Sequence, residues 1–143
     1  MVQKKVLLID DEVEFIGTLA ERLADRGFKV QTATNGQEGI SKAEETNFDA
    51  VVLDLAMPGM DGIATLKRLR EIRPSIQVML LSGQATIKAA VDATQLGAVD
   101  ILEKPMDIQT LVEKINEASE RHFEAEEKQA ENEAAEIAQK KGW

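Results

Sequence analysis

The sequence predicts an α/β fold built on a parallel sheet, and three observations predict it. Short runs rich in Val, Ile and Leu recur five times, with segments of helical spacing between and after them. Most of the runs are near-continuous in apolar residues rather than alternating, as strands covered on both faces are. Polar and acidic residues follow directly after them, where an open parallel sheet gathers its functional groups.

The first strand, Val6 to Ile9, leads into a helix from about Val13 to Arg26, where Phe15, Ile16, Leu19, Ala20 and Leu23 recur at three-and-four spacing. Gly27 stands where a helix would leave through a left-handed residue. The second and third strands are Lys29 to Ala33 and Ala50 to Leu53, with helices filling the gaps. The third helix ends before Pro74, the fourth strand is Gln77 to Leu81, and the fourth helix runs from about Ile87 to Gly97. The fifth strand is Val99 to Leu102, and the fifth helix begins after Pro105. From Ser119 onward, seven glutamates against four basic residues leave a local net charge of −3, with few large apolar side chains. Residues 1–119 are therefore expected to form the domain, and 120–143 an acidic helical extension or linker.

Size and charge narrow the function. A chain of 143 residues with 43% hydrophobic content is one domain and buries about two-thirds of its unfolded surface. No apolar run is long enough to span a membrane, and the N-terminus lacks the apolar stretch of a secretory signal, so a soluble, cytoplasmic protein is expected. Absence of cysteine excludes disulfides and thiolate metal sites, and a single histidine, His122, excludes a multi-histidine zinc centre. A net charge of −9 argues against direct nucleic-acid binding and favours protein partners or cations.

The chemistry-bearing residues fall at the strand ends. Asp10 and Asp11 follow the first strand, Asp54 the third, Ser82 the fourth and Lys104 the fifth. Carboxylates about 4 Å apart repel by about 4 kcal/mol at an effective dielectric of about 20, so converging acids call for a cation. Oxygen donors without His or Cys suit Mg²⁺. Asp54 is placed to act as the nucleophile of an aspartyl-phosphate reaction, with Lys104 pairing with the phosphoryl group and Ser82 donating a hydrogen bond to it. Glu12 reads as an N-cap acid favoured by the helix dipole, Met57, Met60 and the glycines of MPGMDG as loop geometry, and His122 as an ordinary surface histidine.

The segments LLIDDE, VVLDLAMPGMDG, MLLSG and GAVDILEKP, in this order and spacing, resemble the response-regulator receiver domain of bacterial two-component signalling over about Lys4 to Ser119. The resemblance implies a flavodoxin-like, doubly wound five-stranded sheet of order 2-1-3-4-5. It implies Mg²⁺ held by Asp11, Asp54 and the backbone carbonyl of Ala56, with Asp10 helping through water. It also implies phosphotransfer to Asp54 from a histidine kinase or phosphotransfer protein, no enzymatic turnover beyond self-phosphorylation and slow self-dephosphorylation, and a cis Lys104–Pro105 peptide. Signalling would pass to an unidentified downstream protein, or to a second copy, through the fourth helix, fifth strand and fifth helix, or through the C-terminal helix. The stretch from Ser82 to Pro105 is similar to receivers that precede transcription-activating domains, so the alternative is the receiver portion of a longer DNA-binding regulator. Ile101 departs from the family's pattern, which usually has Tyr or Phe three residues before the lysine.

Other users of strand-end chemistry fit less well. A flavin carrier would meet its phosphate with the acids after the first strand. A dehalogenase-type phosphatase would want a second acid at Ala56, and no G-x-G-x-x-G follows the first strand for a dinucleotide.

Overall fold

The computed structural model describes residues 3–55, 62–83, 94–104 and 106–140. Five parallel strands, β1 (Lys5–Ile9), β2 (Lys29–Ala33), β3 (Ala50–Asp54), β4 (Val78–Ser82) and β5 (Asp100–Glu103), form one sheet of order β2-β1-β3-β4-β5. Between and after them stand helices α1 (Val13–Asp25), α2 (Gly36–Glu45), α3 (Gly62–Ile72) and a C-terminal α4 (Ile108–Lys140), the fifth helix of the sequence reading. Most of the expected fourth helix lies outside the described residues, as do Ala56, Met57, Met60, Gln84, Thr86 and Pro105. The expected cis peptide at Lys104–Pro105 therefore falls outside them too.

Strand alternation divides the core into two layers. Leu7, Ile9, Val51, Leu53, Val78 and Leu80 face α2 and α3, meeting Ile40, Ala43, Leu66 and Leu69. Their neighbours Val6, Leu8, Ala50, Val52, Met79 and Leu81 face the other way, onto Ile16, Leu19 and Leu23 of α1 and Leu111, Ile115 and Ala118 of α4. Because both faces are covered, β1, β3 and β4 carry no polar face. The outer strands β2 and β5 are more exposed, as edge position requires.

Helix ends follow local chemistry. At the end of α1, the amide of Gly27 donates to the Ala24 carbonyl and that of Phe28 to Leu23, each bond closing back over a Gly27 with φ of 92°. Phe28 and Leu23 are both buried in the same layer, so the cap also seats the start of β2. α2 begins with Asn35, whose side chain accepts from the Glu38 amide at 2.8 Å.

The ends of some strands differ from the sequence reading. β4 and β5 each run one residue further along than expected, because the parallel ladder continues to pair Ser82 with Glu103. The acidic segment takes the helical form expected of it: α4 passes residue 119 without a break and is 33 residues long, about 50 Å at the α-helical rise.

His122 also differs from its sequence reading as an ordinary surface histidine. Its side chain is buried at 5% exposure, with Nδ1 3.1 Å from the Ser75 carbonyl oxygen and Nε2 2.8 Å from a Glu126 carboxylate oxygen. Asn47 donates to the same Glu126 oxygen. The first turns of the acidic segment are thus fastened under the sheet, at the end opposite the acid cluster. Beyond Glu126 the described side chains are almost all exposed.

Candidate functional site

The sheet order reverses direction between β1 and β3, since the chain places β2 on one side of β1 and β3 on the other. A crevice opens at the carboxyl ends of those two strands. Asp10 directly follows β1 and Asp54 ends β3; both are buried, at 3% and 6% exposure. Both continue the alternation of Leu8 and Val52, so both point to the layer of α1 and α4. The Asp10 amide donates to the Ala33 carbonyl at 3.0 Å, which ties this strand end to β2.

Asp10, Asp11 and Asp54 each present a carboxylate oxygen within 4.8 Å of the others. Charges at that spacing repel by about 3 to 4 kcal/mol per pair at an effective dielectric of about 20. Lys104 offsets part of this. Its backbone amide donates to the Ser82 carbonyl at 2.8 Å, fixing the residue just past β5. Its Nζ then lies 2.7 Å from Asp10 Oδ2, 3.4 Å from Glu12 Oε1 and 3.8 Å from Asp54 Oδ2. Burial of Lys104 opposes its charge. The hydrogen bond and charge of Asp10, followed by the charges of Asp54 and Glu12, outweigh that and hold the ammonium above the ordinary lysine range.

The structure therefore brings together Asp10, Asp11, Asp54 and Lys104, and sets buried Ser82 at the end of the strand beside β3. Ala56 is outside the described residues. Glu12 takes a part the sequence did not disclose. It is the N-cap residue of α1 by position but makes no side-chain cap bond; its carboxylate turns to Lys104 instead. Its amide meanwhile donates to Asp10 Oδ1 at 2.9 Å, which leaves Asp10 Oδ2 for the lysine. Phe15 is the second unforeseen neighbour, its ring centroid 4.6 Å from Lys104 Nζ. Helical spacing marked it only as core-facing.

Gly62 sets the start of α3 against the end of β3. Its amide donates to the Leu55 carbonyl at 2.9 Å, and a Cβ there would come 2.7 Å from the Asp54 carbonyl oxygen. Only glycine lets the start of α3 lie so close to the strand end that carries Asp54.

The sequence model of the response regulator receiver domain matches residues 6–116 of this chain. The chain belongs to that family. A transcriptional regulatory protein, ZraR, of Klebsiella oxytoca is 36% identical over 116 residues, which are 81% of this chain and 26% of the relative. This chain thus spans about a quarter of the length of that relative. Among solved structures, a CheY-like receiver domain protein from Methanospirillum hungatei superposes with a TM-score of 0.83 at 26% identity, covering 87% of this chain and 99% of the other. A response regulator protein from Burkholderia pseudomallei, solved with a phosphorylated aspartic acid, calcium ion and citrate, superposes at 0.76 with 33% identity, covering 87% of this chain and 73% of that one. The receiver domain is a signalling switch of two-component systems rather than an enzyme family. No helix among the described residues is long and apolar enough to cross a membrane.

Proposed function

We propose that Asp54 accepts a phosphoryl group from the phosphohistidine of a histidine kinase or phosphotransfer protein, with Mg²⁺ bound at Asp10, Asp11 and Asp54. The observation that carries this reading is the convergence of three carboxylate oxygens within 4.8 Å of one another, beside the Lys104 ammonium. Hard oxygen donors in that number fit Mg²⁺, which keeps waters and shares phosphate oxygens. The phosphoaspartate and calcium ion of the Burkholderia relative support the same pairing of cation and acyl phosphate.

An Asp54 carboxylate oxygen attacks phosphorus; the new O–P bond forms as the N–P bond breaks, and the electron pair returns to the donor imidazole. Bound Mg²⁺ supplies charge neutralisation to the phosphoryl oxygens. Lys104 leaves Asp10 to pair with one phosphoryl oxygen, and Ser82 donates a hydrogen bond to another. The Ala56 carbonyl would join Asp10, Asp11 and Asp54 in holding the Mg²⁺ ion, as the family resemblance implies. Water later hydrolyses the acyl phosphate slowly, so the chemistry resets a switch and turns over no separate substrate.

The output of this switch is a change in contacts with a downstream protein. It acts across β5, α4 and the predicted fourth helix, and a second copy can use the same face or the C-terminal helix. The acidic balance fits a cytoplasmic domain that leaves any nucleic acid to other parts. Residues 6–116 carry the switch, and the segment beyond 119 extends it. A second reading, the receiver portion of a longer DNA-binding regulator, is favoured by the 26% of the ZraR length that the chain spans. Reading the genomic frame past Trp143 distinguishes the two.

Intact-mass measurement after incubation with acetyl phosphate and Mg²⁺ tests the site. Addition of one phosphoryl group is expected, lost in Asp54→Asn and with EDTA. An undiminished adduct in Asp54→Asn removes Asp54 from the role.

A further inference from the structure

We infer that Phe15 is a positioning residue for Lys104, its ring forming the apolar side of the cage that keeps the ammonium beside the acid cluster. The inference rests on the reading of Lys104 as the phosphoryl-pairing cation. Three carboxylates, from Asp10, Glu12 and Asp54, surround Nζ within 4.0 Å, and the ring lies 4.6 Å away. A lysine held by carboxylates alone would be free to settle on whichever oxygen was nearest. A ring face attracts the same ammonium through its quadrupole and cannot hydrogen-bond to it, so it draws the charge without capturing it.

Two further features point the same way. The Lys104 side chain is only 12% exposed, and cation–ring attraction strengthens when water is kept away. Phe15 also lines a small void of about 10 Å³ together with Asp10, Asp54, Leu8, Val52 and Leu81. The ring thus stands where α1, the acid cluster and the lysine meet, in the first turn of the helix whose N-cap is Glu12. A leucine would fill the same layer, since Phe15 packs on Ile16 and its buried neighbours, but would offer no ring face.

The consequence concerns the step in which Lys104 passes from Asp10 to a phosphoryl oxygen on Asp54. The ring keeps Nζ near the two acids with its charge undivided, 3.8 Å from Asp54 Oδ2 and ready to move. Without the ring, the ammonium stays on Asp10 and Glu12 or turns to water. The expected loss in the rate of Asp54 labelling is roughly two- to thirtyfold, the range that cation–ring attraction spans between exposed and desolvated sites.

The test compares wild type, Phe15→Leu and Phe15→Tyr by NMR and by acetyl phosphate labelling. In the resting wild type, the ε-methylene protons of Lys104 should be shifted upfield by the ring. Phe15→Leu should abolish that shift and slow labelling, and Phe15→Tyr should restore both. In a Lys104→Met background, Phe15→Leu should slow labelling no further. Unshifted Lys104 protons in wild type, equal labelling rates in all three proteins, or an equal loss in the Lys104→Met background would each overturn the inference. If Phe15→Leu unfolds, the Lys104 shift in wild type and Phe15→Tyr still decides it. Failure of wild type to take a phosphoryl group on Asp54 would instead remove the reading on which it rests, while the Lys104 shift continues to report the contact.

Discussion

Lys104 sits on Asp10, with Nζ to Oδ2 at 2.7 Å, and not on Asp54, whose nearest carboxylate oxygen is 3.8 Å away. On the proposed function, the lysine would compete with Mg²⁺ for the same oxygens in the unphosphorylated site. Lys104→Met is expected to tighten Mg²⁺ binding by about fivefold or more, since one unit charge about 4 Å away is worth about 1 kcal/mol even when fully screened by water. The same variant should label more slowly with acetyl phosphate. Calorimetric titration with Mg²⁺ checks the first part; weaker binding in Lys104→Met would contradict the competition.

Gly62 governs how closely α3 approaches the strand end that carries Asp54. An added Cβ meets backbone atoms of Asp54 and Leu55, which cannot swing aside as a flexible side chain would. Gly62→Ala should therefore cost about 1 to 3 kcal/mol in urea unfolding, as over-packing does, and should slow Asp54 labelling because the backbone of Asp54 and Leu55 is displaced. Unchanged stability and labelling together would show that α3 can start without this close approach.

The acidic segment divides at Glu126. His122→Ala should cost about 1 to 3 kcal/mol, because it removes two hydrogen bonds of the buried ring, to the Ser75 carbonyl and to Glu126, each worth about 0.5 to 1.5 kcal/mol. Deleting residues 131–143 should change stability by no more than about 0.5 kcal/mol, as exposed helix does. Urea midpoints of the two proteins measure the difference. A large loss on deleting 131–143 with a neutral His122→Ala would place the anchor elsewhere along the helix.

Ile101 is half-buried, pairs with Leu80 of β4 and packs against the layer that holds Leu80 and Val78. Packed there as an aliphatic side chain, it is expected to stay in place when the switch turns. On adding beryllium fluoride with Mg²⁺, amide shifts should cluster from Ser82 into the segment 84–92 and remain small around 101. Large shifts centred on Ile101 and β5 would show that this strand carries the signal after all.

What the sequence disclosed was what depends on strand period and strand order. Continuous apolar runs placed β1, β3 and β4, and the residues after them marked the crevice, because a parallel sheet puts every strand end at the same edge. Ser82 fell just outside its predicted strand, since ladder pairing with β5 is set by a partner twenty-one residues away rather than by composition. Glu12 and Phe15 were legible as helix residues but not as neighbours of Lys104; their approach depends on how the first turn of α1 faces the loop after β5. His122 escaped for a similar reason. Its burial comes from Ser75, forty-seven residues earlier in the chain, and no local pattern encodes that contact.

On the proposed function, Asp54 alone among the three clustered acids takes the phosphoryl group. Borohydride reduction of the phosphorylated protein converts an acyl-phosphate aspartate to homoserine, and peptide sequencing then gives its position. Homoserine at position 54, formed with Mg²⁺ and absent with EDTA, is the predicted result. Homoserine at position 10 or 11, or labelling at 54 that is indifferent to EDTA, would contradict it.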